Sequence, residues 1–279
     1  MTYAELTAAI QSYTENVFSA TELATFVDQA EQRIYNSVQL ANLRKNVTGA
    51  LTSGNKYLSA PDDYLSTYSL AIYSYATPTA TGTSGAFTIT VSSATNLEIG
   101  QAVYGTGIGT GAIVYLIEGT TVTLSVANSG TVSGALTFQG DYLYLLSKDV
   151  NFIREVYPSP TATAKPKYYA IFGPVYNNVN ELSFILGPTP DMSYKAELHY
   201  YYYPVSIVTA GTTWISENFS SSLLYGSLVE AYTFMKGEAD MMALYDAKYK
   251  ESLALLQNLG EGKQRGDSYR DGQIKIPAR

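Results

Sequence analysis

The chain has 279 residues, of which 46% are hydrophobic and only 15% are charged. Its formal net charge is −7 and its pI is about 4.8, which argues against a nucleic-acid footprint over the whole chain because such footprints are basic. Cysteine is absent, so disulfides and thiolate zinc sites are excluded. The sequence has no run of about 20 apolar residues, so we expect no membrane span. The first residues do not form a basic region followed by an apolar one, so we expect no signal peptide.

Tyrosine is the compositional outlier, with 26 residues against 9 Phe and 1 Trp. Tyrosine offers a large amphipathic contact area and is enriched at protein interfaces. It also suits half-buried strands. Both interpretations remain open from the sequence.

Two helices are predicted at the N-terminus. Thr2 with Glu5, and Ser19 with Glu22, form capping boxes. Apolar residues then recur at helical spacing, which predicts a helix over 21–38. The residues predicted on its solvated side are Glu31, Gln32 and Arg33.

The next segment alternates in the manner of strands. Residues 46–51 and 56–58 flank a turn rich in Gly and Asn, which predicts a hairpin. Residues 60–64 have the chemistry of a further turn, and residues 67–75 predict another strand.

The composition shifts sharply between residues 76 and 140, where only Glu98 and Glu118 carry charge. Short alternating runs separated by turn signals predict a small β-sandwich or barrel. The Thr-, Pro- and Gly-containing entry at 76–83 is typical of a linker, so we interpret this segment as a domain inserted into an exposed loop. The alternating runs lie at 87–91, 112–116, 122–126 and 135–138.

A short helix and three strands are predicted where the main body resumes at Asp141. Ser147 is the predicted N-cap of the helix, and Pro158 and Pro160 break it. The strands are expected at 167–172, 181–186 and 194–203. A turn at 187–191 would join the last two strands in a meander.

Two C-terminal helices complete the predicted body. Ser216 would cap the first, and Gly237 would end it. Asp240 would start the second, and Gly260 stands at its expected C-cap. Residues 261–279 lack apolar periodicity, so we expect an extended segment that is ordered only against a partner.

These elements together predict an α+β fold. Amphipathic helices from both ends of the chain would form a bundle beside an antiparallel β-body, with the small inserted β-sandwich or barrel domain. Residues 1–75 and 141–260 would form the discontinuous body, residues 76–140 the insert, and residues 261–279 a C-terminal tail.

No pattern predicts catalysis. His199, the only histidine, lies within a predicted strand and is interpreted as a structural side chain. The glycine run at 105–111 resembles a phosphate loop, but a strand follows it rather than a helix, so we interpret it as a turn. Asp62 and Asp63 follow Pro61 and are explained by turn formation. We therefore predict a protein that is not an enzyme and has no catalytic residue, cofactor or metal.

The tyrosine run at 200–203 is the candidate interaction site. Alternate residues of a strand face opposite sides, so one pair would be core and the other would face solvent or a neighbour. We favour a subunit contact over a platform for stacking sugars or bases. The residues of this predicted contact are Tyr200, Tyr201, Tyr202 and Tyr203.

Several sequence phrases point to one family. They are AEQRIYN at 30–36, NKYLSAPDDY at 55–64, KPKYYA at 165–170, LGPTP at 186–190 with ELHYYYYP at 197–204, and LYGSLVEAY at 224–232 with MKGE at 235–238. Together they resemble the head-to-tail adaptors of tailed bacteriophages, similar to the tubular adaptor (tail tubular protein A) of short-tailed phages. Residues 94–103 and 119–125 separately resemble an Ig-like β-module of phage structural proteins, which departs from the plain adaptor pattern.

The resemblance implies a ring of about twelve subunits below the portal. The helices would face the portal and line a channel through which genomic DNA passes without sequence-specific binding. The β-body would contact the next tail component, whether a nozzle, a fibre or a tail terminator. The protein would be made in the host cytoplasm and reside at the head–tail junction of the virion.

The C-terminal tail would reach into the portal. Its predicted docking residues are Lys263, Arg265, Tyr269, Arg270, Lys275, Ile276 and Arg279. Two alternatives stay open: another phage tail structural protein, such as a fibre or baseplate component, and a carbohydrate-adhesion β-protein.

Overall fold

The computed structural model of the protein describes residues 1–38, 43–159, 161–173 and 182–264. The fold class is α+β, as predicted, and the described strands form no closed barrel. Contacts divide the chain into two units, one within Met1–Arg44 and Tyr201–Arg279 and the other within Lys45–Tyr200.

Seven helices occur in the described ranges. They are α1 (Tyr3–Thr14), α2 (Ala20–Ser37), α3 (Val150–Val156), α4 (Ile207–Ala210), α5 (Trp214–Asn218), α6 (Ser220–Met235) and α7 (Ala239–Gln264). All except α3 belong to the first unit.

The strands of the described chain form three sheets. In chain order they are β1 (Arg44–Leu51), β2 (Tyr57–Ser59), β3 (Tyr64–Ala76), β4 (Thr79–Gly82), β5 (Thr88–Val91), β6 (Ala102–Tyr104), β7 (Val114–Glu118), β8 (Thr121–Leu124), β9 (Val132–Ala135), β10 (Thr137–Gln139), β11 (Leu143–Tyr144), β12 (Leu146–Ser147), β13 (Tyr168–Ile171), β14 (Ser183–Gly187) and β15 (Tyr194–Tyr202). A six-stranded sheet has the order β1-β15-β3-β10-β6, with β11 also paired to β3. A four-stranded sheet has the order β12-β13-β14-β2, and a five-stranded sheet has the order β7-β8-β5-β4-β9.

Both predicted capping boxes are confirmed. The backbone N–H of Thr2 donates to the Glu5 carboxylate at 2.8 Å, and that of Ser19 donates to the Glu22 carboxylate at 2.7 Å. In return each hydroxyl accepts the backbone N–H of its glutamate at 3.3 Å. These reciprocal bonds satisfy N–H groups that a helix start leaves unpaired.

Two predicted N-caps are wrong. Ser147 lies in β12, paired with β13, and the carboxylate of Asp149 instead caps α3 by accepting the Asn151 N–H at 2.7 Å. Ser216 lies inside α5, whose N-cap is Thr213. A Ser or Asp near a helix start satisfies the same capping pattern at several positions, so composition alone does not fix which one caps.

The predicted end of the last helix is also wrong. α7 does not stop at Gly260 but continues to Gln264, so the first four residues of the predicted extended tail are helical. An interior glycine costs a helix about 1 kcal/mol relative to alanine, which a long helix tolerates. The end predicted for the preceding helix, at Gly237, is nearly correct. The helix α6 ends at Met235, and Lys236 adopts the left-handed conformation just before Gly237.

The predicted hairpin at 46–58 and the meander at 181–203 are both wrong. β1 and β2 lie in different sheets, and so do β14 and β15. The two connecting loops lie together instead, because the Gly54 N–H donates to the Pro190 carbonyl at 2.8 Å and the Ser53 hydroxyl donates to the Asp191 carbonyl at 2.9 Å. The chain therefore crosses from one sheet to another at both places. The turn residues alone do not show whether the chain makes such a crossing or returns in a hairpin.

The segment at 76–140 forms a two-sheet β-structure. The five-stranded sheet contributes buried residues such as Ile89 and Val122 to a core that also contains Val103 and Phe138. Val103 lies on β6 and Phe138 on β10, and Phe138 pairs with Ala76 of β3. The six-stranded sheet thus extends from β3 into this segment, and the two sheets share one apolar core.

α6 is the central helix of the first unit. It packs against α1, α2, α5 and α7, and its buried residues occur on every side. A Cβ atom at Gly226 would lie 3.1 Å from Cβ of Ala30 on α2 and 3.1 Å from the ring of Tyr249 on α7. The absence of a side chain at Gly226 therefore lets three helices approach closely.

We expect Gly226→Leu to lower the free energy of unfolding by about 3 kcal/mol, because the new side chain would overlap both neighbouring helices. Thermal and urea unfolding measure the change. The matched control is Ala247→Leu at an exposed position of α7, which should shift stability by less than about 0.5 kcal/mol. Equal effects of the two substitutions would contradict the close approach at Gly226.

Candidate functional site

The structure corrects the alternation predicted for the tyrosine run. Tyr200 and Tyr201 are both buried, with 3% and 7% of their surface exposed, whereas Tyr202 and Tyr203 are half-buried. Tyr201 points to the opposite side of β15 from Tyr200, and its ring lies 5.9 Å from the Arg44 guanidinium. The predicted subunit contact stays a prediction, and the surface available for it lies on Tyr202 and Tyr203.

Tyr200 is part of a partly buried polar network in the second unit. Its hydroxyl donates to Asp63 Oδ1 at 2.7 Å, and Lys45 Nζ donates to Asp63 Oδ2 at 2.5 Å. The ring of Tyr200 stacks on Tyr64 at a centroid distance of 6.0 Å. Burial raises the pKa of the Asp63 carboxyl, but the bonds from Lys45 and Tyr200 outweigh it and lower that pKa overall.

Tyr203 packs on α2 in the first unit. Its hydroxyl donates to Asn36 Oδ1 at 2.5 Å, and its ring meets Tyr35 edge to face at 6.3 Å. A contact of Tyr203 with another protein would therefore be coupled to the position of α2.

The predicted turn at 105–111 is confirmed, and its glycines have a packing role. Backbone bonds close turns from Ile108 to Gly105 and from Ala112 to Gly109. A Cβ atom at Gly107 would lie 2.5 Å from the Thr131 carbonyl oxygen. β7 rather than a helix follows the turn, so the helix N-terminus that a phosphate site needs is not there.

His199 lies in β15, as predicted, with its side chain 45% exposed. Its Nε2 atom is 3.7 Å from Oε1 of Glu197, which also accepts a bond from the Asn46 amide at 2.7 Å. The described parts of the chain contain no group of three or more His, Asp or Glu side chains arranged to hold a metal ion. None of the helices in those parts is long and apolar enough to cross a membrane.

Glu31 was predicted on the solvated side of α2, and this prediction is wrong. Only 3% of its surface is exposed, and its carboxylate accepts the Ile207 N–H at 3.1 Å. Asp28, one turn earlier, accepts the Ser206 hydroxyl at 2.7 Å. These bonds hold the start of α4 on α2. Burial raises the pKa of Glu31, although its hydrogen bonds with Ser206 and Ile207 oppose that shift.

A groove between α2, α6 and α7 was missed by the sequence analysis. Its volume is about 670 Å³, and Arg33, Glu230 and Tyr249 line it. Arg33 Nη2 lies 2.6 Å from Glu230 Oε1, and Glu230 and Tyr249 are only 8% and 6% exposed. The available signal was Glu230 itself, because a carboxylate within the apolar stretch at 223–231 requires a buried partner.

Of the predicted docking residues in the C-terminal tail, the structure describes only Lys263. Lys263 lies in the last turn of α7. The other predicted docking residues lie outside the described residues: Arg265, Tyr269, Arg270, Lys275, Ile276 and Arg279.

Comparison with known families finds a match over nearly the whole chain. The family model described as SU10 adaptor protein matches residues 1–275, which covers both units and the segment at 76–140. Among curated proteins, none matches the chain.

We expect Tyr200→Phe to lower the free energy of unfolding at pH 7 by about 1.5 kcal/mol, because it removes a hydrogen bond to an ionised carboxylate. The low pKa of Asp63 means that this network stabilises the fold above the ordinary carboxyl pKa and is lost as the pH falls through the lowered one. Urea unfolding at several pH values should therefore show that the difference in the free energy of unfolding between wild type and Tyr200→Phe becomes smaller in acid. Tyr104→Phe, at an exposed ring of β6, is the control and should have no comparable effect.

We expect Glu31→Gln to raise the free energy of unfolding at pH 7 by about 1 kcal/mol, since the amide oxygen can still accept the Ile207 N–H and no charge is buried. A raised pKa means that the folded protein binds the proton more tightly, so wild-type stability falls as the pH rises through that pKa. The gain should therefore disappear near the ordinary carboxyl pKa of about 4.3. A gain that persists in acid, or that also appears for the exposed Glu238→Gln, would refute this explanation.

Proposed function

This chain belongs to the SU10 adaptor protein family and is a phage adaptor, and from that premise we propose that it forms a ring below the portal. The ring would join the capsid vertex to the tail and continue the DNA channel. The observation that carries the proposal is the family match over residues 1–275, which leaves almost no part of the chain unaccounted for. An adaptor has a structural role, and the interactions described for Tyr200 and Tyr203 are packing contacts and hydrogen bonds.

Ring closure needs two different complementary surfaces on each subunit. The second unit exposes large aromatic side chains that suit such contacts, since tyrosine gives contact area at low entropic cost. The most exposed tyrosines of its six-stranded sheet and adjoining loop are Tyr68, Tyr104, Tyr142 and Tyr144. We propose a ring of about twelve copies, with the half-buried Tyr202 and Tyr203 also near the subunit contact.

The acidic chain suits a channel through which DNA slides. A net charge of −7 repels phosphates, whereas DNA binding is driven by Lys and Arg that release counterions. Genomic DNA would therefore pass without sequence-specific binding. The helices of the first unit would line the channel, and the β-sheets would contact the next tail component, whether a nozzle, a fibre or a tail terminator.

The C-terminal residues are the proposed portal-docking segment. α7 continues to Gln264, so we place the start of the segment at Arg265 rather than at residue 261. An extended arm adds interface area to a neighbouring ring without changing the subunit core. We propose that residues 76–140 are an Ig-like insert, and that the protein is made in the host cytoplasm and resides at the head–tail junction.

We expect the native mass of a mixture of this protein with the portal ring of the same phage to equal the portal plus one full ring of this chain. Native mass spectrometry of the protein alone and of the mixture distinguishes preformed rings from portal-templated assembly. Absence of association, while the portal stays assembled, would favour a fibre, baseplate or carbohydrate-adhesion protein instead.

The docking segment is tested by replacing Arg265, Arg270, Lys275 and Arg279 with Ala. This change should weaken portal association at least tenfold while the melting temperature stays the same, because the segment carries the contact and not the fold. The matched control replaces Lys248 and Lys250, which are exposed on α7, with Ala. Unchanged portal affinity in the first variant would refute the docking role.

A further inference from the structure

A basic patch lies where α3 packs on the four-stranded sheet of the second unit. Its cations are Lys56 just before β2, Lys148 just after β12, and Arg154 on α3. Lys148 and Arg154 are exposed, and Lys56 is half-buried. None of the three forms an ion pair within the described residues. Their charges can therefore still pair with carboxylates of another molecule.

An aromatic ring restrains each cation of this basic patch. The charged group lies 5.0 to 5.5 Å from the centroid of the ring in all three cases: Lys56 over Tyr57, Arg154 over Phe172 and Lys148 over Phe152. A cation over a ring face is attracted by the ring quadrupole. Because the long side chains are already restrained, they lose less conformational entropy when they bind a partner.

The rings connect the three cations into one surface. The centroids of Tyr57 and Phe172 are 5.6 Å apart, and Phe152 meets Tyr168 edge to face at 5.4 Å. All four rings pack on one apolar cluster, whose buried members are Ile153, Ala170 and Ile185. The helix and the sheet thus fix the three charges around a common core, so they can act on a partner together.

This substructure is the basic part of an acidic chain. Residues 56–59, 146–157, 167–172 and 183–187 contain four basic and two acidic side chains, a net charge of +2. The whole chain has a net charge of −7, so the rest of the chain carries −9. A second copy of the chain is therefore an acidic partner whose charge is complementary to the basic patch.

The chemistry of the basic patch favours carboxylates over nucleic acid. Single-stranded nucleic acid stacks its bases on open ring faces, but here a cation lies over a face of each ring that would serve. The acidic chain also repels phosphates at long range, which opposes the approach of DNA. Lys and Arg side chains without an ion pair instead match the carboxylates of an acidic protein surface.

We propose that the basic patch of Lys56, Lys148 and Arg154 binds the acidic surface of a neighbouring copy of this chain. The inference rests on the ring proposed above, and it identifies one of the two different surfaces that ring closure requires. Complementary charge of this kind speeds the encounter of subunits and disfavours pairing of the same surface with itself.

Charge reversal tests the basic patch in the full chain. The triple variant Lys56→Glu, Lys148→Glu and Arg154→Glu should weaken self-association at least about tenfold, because it places like charges opposite the acidic neighbour. The matched control reverses the exposed cations of the first unit and changes the net charge equally: Lys236→Glu, Lys248→Glu and Lys250→Glu. This control should weaken association less than about twofold. Sedimentation velocity measures the chain alone, and native mass spectrometry counts the copies bound to the portal ring.

A neutral triple variant separates charge from packing and from folding. Replacing the three cations with Gln should weaken association by an intermediate factor of about three. Added salt should weaken the association of wild type more than that of this neutral variant, because it screens the charges. Melting curves of every variant establish that each one is folded.

The outcomes separate this inference from the proposed ring. A wild type that forms the ring, together with equal effects of the two charge reversals or no loss in the neutral variant, would overturn the inference and leave the ring standing. Binding of duplex DNA that the patch reversal abolishes, with self-association unchanged, would assign the patch to nucleic acid and also overturn it. A wild type that stays monomeric both alone and with the portal would overturn the ring and the inference together.

Discussion

The close packing of α6 is the constraint on which the first unit depends. A helix enclosed by four others has no solvated face, so nearly every position must be apolar or small. Gly226 meets that demand where α2 and α7 come nearest. Glu230 violates it, and the violation is tolerated because Arg33 lies 2.6 Å away at the edge of the groove. The same packing that stabilises the unit therefore also creates the polar groove.

Two ion pairs of the second unit join elements that are distant in sequence. The ion pair between Lys45 and Asp63 joins β1 to the turn before β3. The hydrogen bond from the Tyr200 hydroxyl to Asp63 joins β15 to the same turn. Lys165 reaches Glu98, one of only two charged residues in the segment at 76–140, at 3.0 Å. Pairs that are partly exposed contribute little to stability. In the second unit they join elements that are far apart in sequence.

The sequence predicted those features that depend on neighbouring residues. The capping boxes at Thr2 and Ser19 were correct because donor and acceptor are three residues apart and need no tertiary contact. The fold class was also correct, because the helical and alternating periods are local properties. By contrast, the pairing of β1 and β2 was wrong, since the turn at 52–55 looks the same whether the chain returns to one sheet or crosses to another.

The candidate site was the least predictable part for the same physical reason. Tyr200 and Tyr201 are covered by residues distant in sequence, so the alternation rule could not show that both are buried. Glu31 follows the helical pattern of a solvated position and is buried only because α4 lies over it. The groove residues Arg33, Glu230 and Tyr249 come from three helices, and only the tertiary structure brings them together.

A head-to-tail adaptor must satisfy two opposed physical demands. Its contacts must be strong once the particle is assembled, yet the free subunit must not associate through them prematurely. Extended segments meet the first demand because they add area to a neighbour, but an unprotected segment is also open to unwanted contacts. A segment that follows the end of α7 would add such area without altering the packed core of the subunit, so the stability of the free subunit would not depend on the contact.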